Sequence, residues 1–123
     1  MTDKVFILED DELYAGRIRR KLENLGREVE ISGDVETARE IFDSNGDTYS
    51  VYCLDMQNPL RPGGSNRMGG MVFGRYLVDN EVDADKIYIM SGAELERENI
   101  ANVLGIDEGH ILLKPVNWNE LLD

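Results

Sequence analysis

The chain has 123 residues, a length that suits one folded domain with one hydrophobic core. Its 25 acidic and 13 basic side chains give a net charge of −12, which argues against binding to nucleic acid or to an anionic membrane, because phosphates would be repelled. The single Cys53 excludes an internal disulfide, and no apolar stretch approaches a membrane span or a signal peptide, so we expect a cytoplasmic protein.

Five short apolar runs alternate with longer stretches of helical spacing. The runs are VFIL (5–8), VEI (29–31), VYCL (51–54), IYIM (87–90) and ILL (111–113). Helices are predicted over 12–25, 35–43, 70–79 and 94–104, and the tail 117–123 has room for under two turns. Asp34 is suited to cap the second helix, and glycines at 26, 46 and 105 are suited to end helices.

Strands that alternate with helices predict a single α/β domain with a parallel sheet. Four of the runs are continuously apolar, which is typical of strands covered by helices on both faces. The run at 29–31 instead alternates with Glu28 and Glu30, so we place it at an edge of the sheet.

Residues 59–70, PLRPGGSNRMGG, interrupt this pattern with four glycines and two prolines. The composition predicts an extended, mobile loop. Two interpretations of the segment remain open. It is either a tolerated surface insertion or a lid or partner contact that uses Arg61 and Arg67.

Polar side chains follow four of the predicted strands at the point where each strand ends: Glu9, Asp10 and Asp11; Asp55; Ser91; and Lys114. In an open parallel sheet these ends meet at one edge, so we expect the side chains to lie together. Carboxylates gathered within a few ångströms repel one another unless a cation such as Mg²⁺ offsets their charge. A metal ion, a carboxylate nucleophile, an amine and a hydroxyl together suit phosphoryl transfer to a side chain.

The motifs EDDE, LDMQNP, MSGA and LLKP, at these spacings, resemble those of the receiver domain of two-component response regulators. The resemblance covers nearly the whole chain and implies one receiver domain over 1–123, of the chemotaxis-regulator type. It also implies a flavodoxin-like, doubly wound, five-stranded parallel sheet of strand order 2-1-3-4-5, here with a shortened last helix. The implied roles are phosphoacceptor for Asp55, switch hydroxyl for Ser91, phosphate-binding lysine for Lys114, and Mg²⁺ ligands for Glu9, Asp10, Asp55 and the Gln57 carbonyl.

The function implied by the resemblance is a phosphorylation-dependent switch that catalyses its own phosphorylation and dephosphorylation but is not a turnover enzyme. A histidine kinase or phosphotransfer protein would donate the phosphoryl group, and a downstream protein would read the result by direct contact. The alternative is a receiver-like interaction module that is not phosphorylated. An aspartate-based hydrolase is disfavoured because Gln57 stands where a general acid would be needed. A flavin or dinucleotide site is disfavoured because the sequence after the first strand lacks a glycine-rich phosphate turn.

Three features depart from the receiver pattern. The loop after Asp55 is longer than usual, and Ile111 occupies the position of the usual aromatic switch residue. The neighbouring His110 is expected to face solvent, and the alternative is that it substitutes for that aromatic residue. The tail is short, and we expect Trp118 to pack in the core beside the fifth strand.

Overall fold

The computed structural model of the protein describes residues 4–92 and 97–122. The strands, in chain order, are β1 (Lys4–Leu8), β2 (Glu28–Ser32), β3 (Val51–Asp55), β4 (Asn58–Pro59), β5 (Asn66–Arg67), β6 (Ile87–Ser91) and β7 (Ile111–Leu113). The helices are α1 (Glu12–Asn24), α2 (Val35–Asn45), α3 (Gly69–Asp79), α4 (Arg97–Leu104) and α5 (Trp118–Leu122). Residues 94–96 of the predicted fourth helix lie outside the described residues.

Five of the strands form one parallel sheet in the order β2-β1-β3-β6-β7. This order confirms the predicted doubly wound topology, with the alternating strand β2 at the edge. Register places Ile7 of β1 beside Cys53 of β3, and Cys53 beside Tyr88 of β6. The last helix has five residues, as its short sequence predicted. Among the described residues, no helix is long and apolar enough to cross a membrane.

The sheet separates two hydrophobic cores, because successive side chains of a strand point to opposite faces. One core joins the sheet to α2, α3 and α4 through Phe6, Tyr52, Leu54, Ile89, Phe42, Phe73 and Leu104. The other joins it to α1 and α5 through Val5, Ile7, Cys53, Met90, Ile18, Leu22, Trp118 and Leu122. The prediction that Trp118 packs in the core is therefore confirmed.

Both helices that follow the first two strands begin at an aspartate cap. The Asp34 carboxylate accepts a hydrogen bond from the Thr37 amide at 2.7 Å, and α2 ends at Gly46, whose φ is 70°. Both assignments were predicted from the sequence. Asp11 caps α1 in the same way, because its Oδ1 accepts hydrogen bonds from the Leu13 and Tyr14 amides.

The prediction of an extended loop throughout 59–70 is wrong. The segment contains a small antiparallel hairpin, in which Asn58 pairs with Arg67 and Pro59 pairs with Asn66, and α3 already begins at Gly69. We call residues 58–67 the hairpin. It is fastened to the next layer, since the Glu36 amide at the start of α2 donates to the Leu60 carbonyl at 2.9 Å.

Candidate functional site

Four of the polar side chains predicted to gather at one edge of the sheet, those of Glu9, Asp10, Asp55 and Lys114, do so. Glu9 and Asp10 follow β1, Asp55 ends β3, Ser91 ends β6 and Lys114 follows β7. Parallel pairing aligns these ends, since Asp55 lies beside Met90 and Ser91 lies beside Leu113 in register. The edge strand β2 contributes no acid to this group.

The three acids Glu9, Asp10 and Asp55 form a compact cluster. One carboxylate oxygen from each lies within 4.8 Å of the other two. Glu9 and Asp55 are buried, with 3% and 5% of their surface exposed, whereas Asp10 is open to solvent. The cluster is therefore reachable from solvent on the Asp10 side and enclosed on the other.

Lys114 links two of the acids directly. Its Nζ lies 2.9 Å from Glu9 Oε1 and 2.9 Å from Asp55 Oδ1. The backbone of Lys114 is held as well, because its amide donates to the Ser91 carbonyl at 2.8 Å. The ammonium also lies 4.9 Å from the centre of the Tyr14 ring, which adds a cation–π contact.

Burial dominates the electrostatics of the cluster. Burial raises the pKa of the Glu9 and Asp55 carboxyls above their ordinary values, by more than their hydrogen bonds with Lys114 lower it. Burial acts to lower the pKa of Lys114, but its hydrogen bonds to Asp55 and Glu9 and the negative charges of both acids together outweigh burial, so its pKa is raised and the amine stays charged. When all three carboxylates ionise, a single ammonium leaves two negative charges in excess.

The other predicted site residues lie at the same edge. The backbone amide of Gln57 donates to the Asp55 carboxylate, while the Gln57 side chain is exposed. Ser91 is half-buried at the end of β6, and the role of its hydroxyl stays a prediction. Asp11, the third acid after β1, directs its carboxylate to the start of α1.

Two residues beside Asp55 were missed by the sequence reasoning. Asn58 is fully buried, and its Nδ2 donates to the Gly33 carbonyl at 2.8 Å. Gly70 lies so close to β3 that an added β-carbon would be 2.5 Å from the Asp55 carbonyl oxygen. The glycine pair at 69 and 70 was a visible signal that we interpreted as loop, whereas nothing local distinguished Asn58.

The arginines of the hairpin do not reach the acids. Arg61 and Arg67 are exposed and line a cavity of about 200 Å³ with Leu60, Gly64 and Ser65. Within the described residues, no hydrogen bond or ion pair joins either arginine to the acidic cluster. Among the described residues, the contact that would make the hairpin a lid over the acids is therefore not formed.

The expectation that His110 faces solvent is wrong. Its ring stacks on Tyr88, with centroids 4.0 Å apart and planes at 13°, and Nδ1 lies 2.9 Å from the Ile87 carbonyl. Ile111, in the position of the usual aromatic switch residue, is buried in the core.

Neither a protein-family model nor a curated protein matches this sequence. Solved structures do match it over nearly its whole length. A CheY-like response regulator receiver domain protein from Methanospirillum hungatei is 22% identical with a TM-score of 0.76, covering 99% of this chain and 89% of that one. The chemotaxis protein CheY4 of Vibrio cholerae is 20% identical with a TM-score of 0.76, covering 99% and 94%.

A third match is the response regulator TrrA of Thermotoga maritima, solved in complex with Mg²⁺ and BeF. It is 17% identical with a TM-score of 0.70, covering 98% of this chain and 93% of that one. The chain therefore has the fold of response regulator receiver domains.

Proposed function

We propose that the chain is a phosphorylation-dependent signalling switch, with one receiver domain over 1–123 and Asp55 as the phosphoacceptor. The observation that carries the proposal is the position of Asp55 within this fold. Its carboxylate lies in a cluster with two other acids and 2.9 Å from a charged lysine. These are the groups that accept and stabilise a transferred phosphoryl group.

The cluster has the donor chemistry of a Mg²⁺ site. Mg²⁺ prefers carboxylate, carbonyl and water oxygens, and three carboxylate oxygens here lie within 4.8 Å of one another. Glu9, Asp10, Asp55 and the Gln57 carbonyl would hold the ion, with Glu9 also acting through water. When bound, Mg²⁺ supplies positive charge that offsets the acids and the phosphoryl oxygens. The Thermotoga maritima regulator was solved with this ion.

Phosphoryl transfer follows from the groups around Asp55. A carboxylate oxygen of Asp55 attacks the phosphorus of a phosphohistidine, forming a P–O bond as the P–N bond breaks. The electron pair of the broken bond returns to the imidazole nitrogen, which takes up a proton from solvent. Lys114, already paired with Asp55, offers its charge to the phosphoryl oxygens, and the Ser91 hydroxyl donates a hydrogen bond to them. Attack by water on the phosphorus of the acyl phosphate breaks its P–O bond to Asp55, which releases inorganic phosphate, restores the carboxylate and resets the switch.

The proposed donor is a histidine kinase or a phosphotransfer protein, and the proposed output is contact with a downstream protein in the cytoplasm. The net charge of −12 supports a protein target over a nucleic acid or an anionic membrane.

Incubation with acetyl phosphate and Mg²⁺, followed by intact mass measurement, tests the proposal. We expect the wild-type chain to gain one phosphoryl mass, and Asp55→Asn to gain none. Asp47→Asn is the matched control, because Asp47 also pairs with a lysine, with Oδ2 3.2 Å from Lys86 Nζ, but lies outside the cluster. It should gain the same mass as wild type.

An unmodified wild-type chain, or an equal mass gain in Asp55→Asn, would contradict the proposal. The first of these results would favour the receiver-like interaction module that is not phosphorylated.

A further inference from the structure

The hairpin connects the two sides of the acidic cluster. It begins three residues after Asp55, and two hydrogen bonds fasten it to the β2–α2 connection and to the first turn of α2. In one of them the Asn58 Nδ2 donates to the Gly33 carbonyl at 2.8 Å. In the other the Glu36 amide donates to the Leu60 carbonyl at 2.9 Å.

Gly33 in turn lies against the segment that carries the other two acids. A β-carbon added at Gly33 would be 3.8 Å from Asp10 Cα and 3.9 Å from the Glu9 carbonyl oxygen. The Glu9 amide also donates to the Ser32 carbonyl at 2.9 Å. The hydrogen bond from Asn58 therefore connects the chain after Asp55 to residues 9 and 10, which follow β1. Gly33 is the one residue between them.

Asn58 is an unusual side chain for so enclosed a position. It is 0% exposed, and within the described residues its Oδ1 is buried without a hydrogen-bond partner. An unpaired buried amide oxygen carries a desolvation cost, because it has given up its hydrogen bonds to water. An apolar side chain of similar size would avoid that cost but would lose the bond to Gly33. The hydrogen bond to Gly33 therefore explains the presence of Asn58 better than a gain in folding stability does.

We propose that Asn58 is a positioning residue that holds Asp10 and Glu9 at the separation from Asp55 that a divalent cation requires. This inference rests on the proposed function, because it assumes that the cluster binds Mg²⁺. The proposal gives the hairpin a role at the site through its first residue, Asn58, although the arginines of the hairpin make no hydrogen bond or ion pair with the acids.

The variant Asn58→Leu tests the inference in the full chain. Leucine keeps the number of side-chain heavy atoms and the branch at Cγ, and it removes both the donor and the unpaired oxygen. We expect the Mg²⁺ dissociation constant, measured by titration calorimetry, to rise about tenfold, as is typical when a group that orients a metal ligand is lost. Phosphorylation by acetyl phosphate should need correspondingly more Mg²⁺ yet reach the wild-type level at saturation. Hydrogen exchange at the Glu36 amide should accelerate.

The matched control is Asn80→Leu. The Asn80 Nδ2 also donates to a backbone carbonyl at 2.8 Å, that of Tyr76, at the end of α3. This variant should bind Mg²⁺ as wild type does. If circular dichroism shows that Asn58→Leu is unfolded, Asn58→Ser, whose side chain is too short to reach Gly33, carries the same expectation.

An Asn58 variant that is folded and binds Mg²⁺ within twofold of wild type would overturn the inference and leave the proposed function standing. An equal loss in Asn80→Leu would also overturn it, since the effect would then be general. A wild-type chain that binds no Mg²⁺ would overturn both.

Discussion

Lys114 shows at the scale of single residues how burial decides what an ion pair contributes. Its two partners, Glu9 and Asp55, are almost fully buried, so their charges are poorly screened by water. The pair of Arg75 and Asp79, at 3.3 Å, has side chains more than half exposed and contributes little to stability. Removing the Lys114 amine would leave two buried carboxylates without their nearest cation.

Gly70 is a second residue on which the geometry around Asp55 depends. A β-carbon there would lie 2.5 Å from the Asp55 carbonyl oxygen and 2.9 Å from Met56 Cα, and backbone atoms cannot move aside cheaply. We expect Gly70→Ala to lower the free energy of unfolding, measured in urea, by about 1–3 kcal/mol.

Gly16→Ala provides the comparison for this substitution. Gly16 is exposed within α1, and an added β-carbon there would meet nothing within 4 Å. This change should stabilise the protein by about 0.5–1 kcal/mol, because alanine favours the helix. A Gly70→Ala variant as stable as wild type would show that the close approach of α3 to β3 is not required for stability.

At the scale of elements, α1 begins immediately beside the site. Its cap, Asp11, follows Glu9 and Asp10 directly, and the Asp11 amide itself donates to Glu9 Oε2 at 3.2 Å. The third acid of the EDDE motif therefore starts a helix, while the first two face the cluster.

Substitution of Asp11 separates these two roles. Asp11→Ala should lower the free energy of unfolding by about 1 kcal/mol, because the Leu13 and Tyr14 amides lose their acceptor. Asp11→Asn retains a capping oxygen and should stay within about 0.5 kcal/mol of wild type. Both free energies of unfolding are measured in urea. In a Mg²⁺ titration, both variants should bind the ion with the affinity of the wild-type chain. A loss of Mg²⁺ affinity in both would instead identify Asp11 as a ligand.

At the scale of the whole molecule, β3 lies at the centre of the sheet and both cores meet across it. Cys53, on this strand, is fully buried between β1 and β6, and burial raises the pKa of its thiol far above the ordinary value. Because the unfolded thiol ionises near pH 8.5 and the folded one does not, this group lowers stability as the pH rises above that value.

The same burial predicts the reactivity of the thiol. In native buffer at pH 8 we expect Cys53 to react with a disulfide reagent on the order of 10³-fold or more slowly than in denaturant, since global unfolding must expose it. A chain carrying Cys53→Ser and Ser44→Cys places the thiol on the exposed end of α2 and should react quickly in both conditions. Comparable native rates for the two chains would contradict the burial of β3.

The order of strands and helices, and the edge at which the acids gather, were determined by the sequence alone. Apolar runs such as 51–54, the aspartate cap at 34 and the glycine stop at 46 act through neighbours along the chain, so their effects can be predicted without a structure. Once the sheet is parallel, its strand ends must meet, and this places Asp55 near Asp10.

Contacts between residues distant in sequence were decided only by the tertiary structure. The hairpin, the bond from Asn58 to Gly33 and the approach of Gly70 to Asp55 leave no periodic pattern, because each depends on where a separate element packs. The stacking of His110 on Tyr88 is of the same kind. Local preferences determine the elements of a chain, whereas burial and pairing between elements determine which polar side chains are enclosed and what they bind.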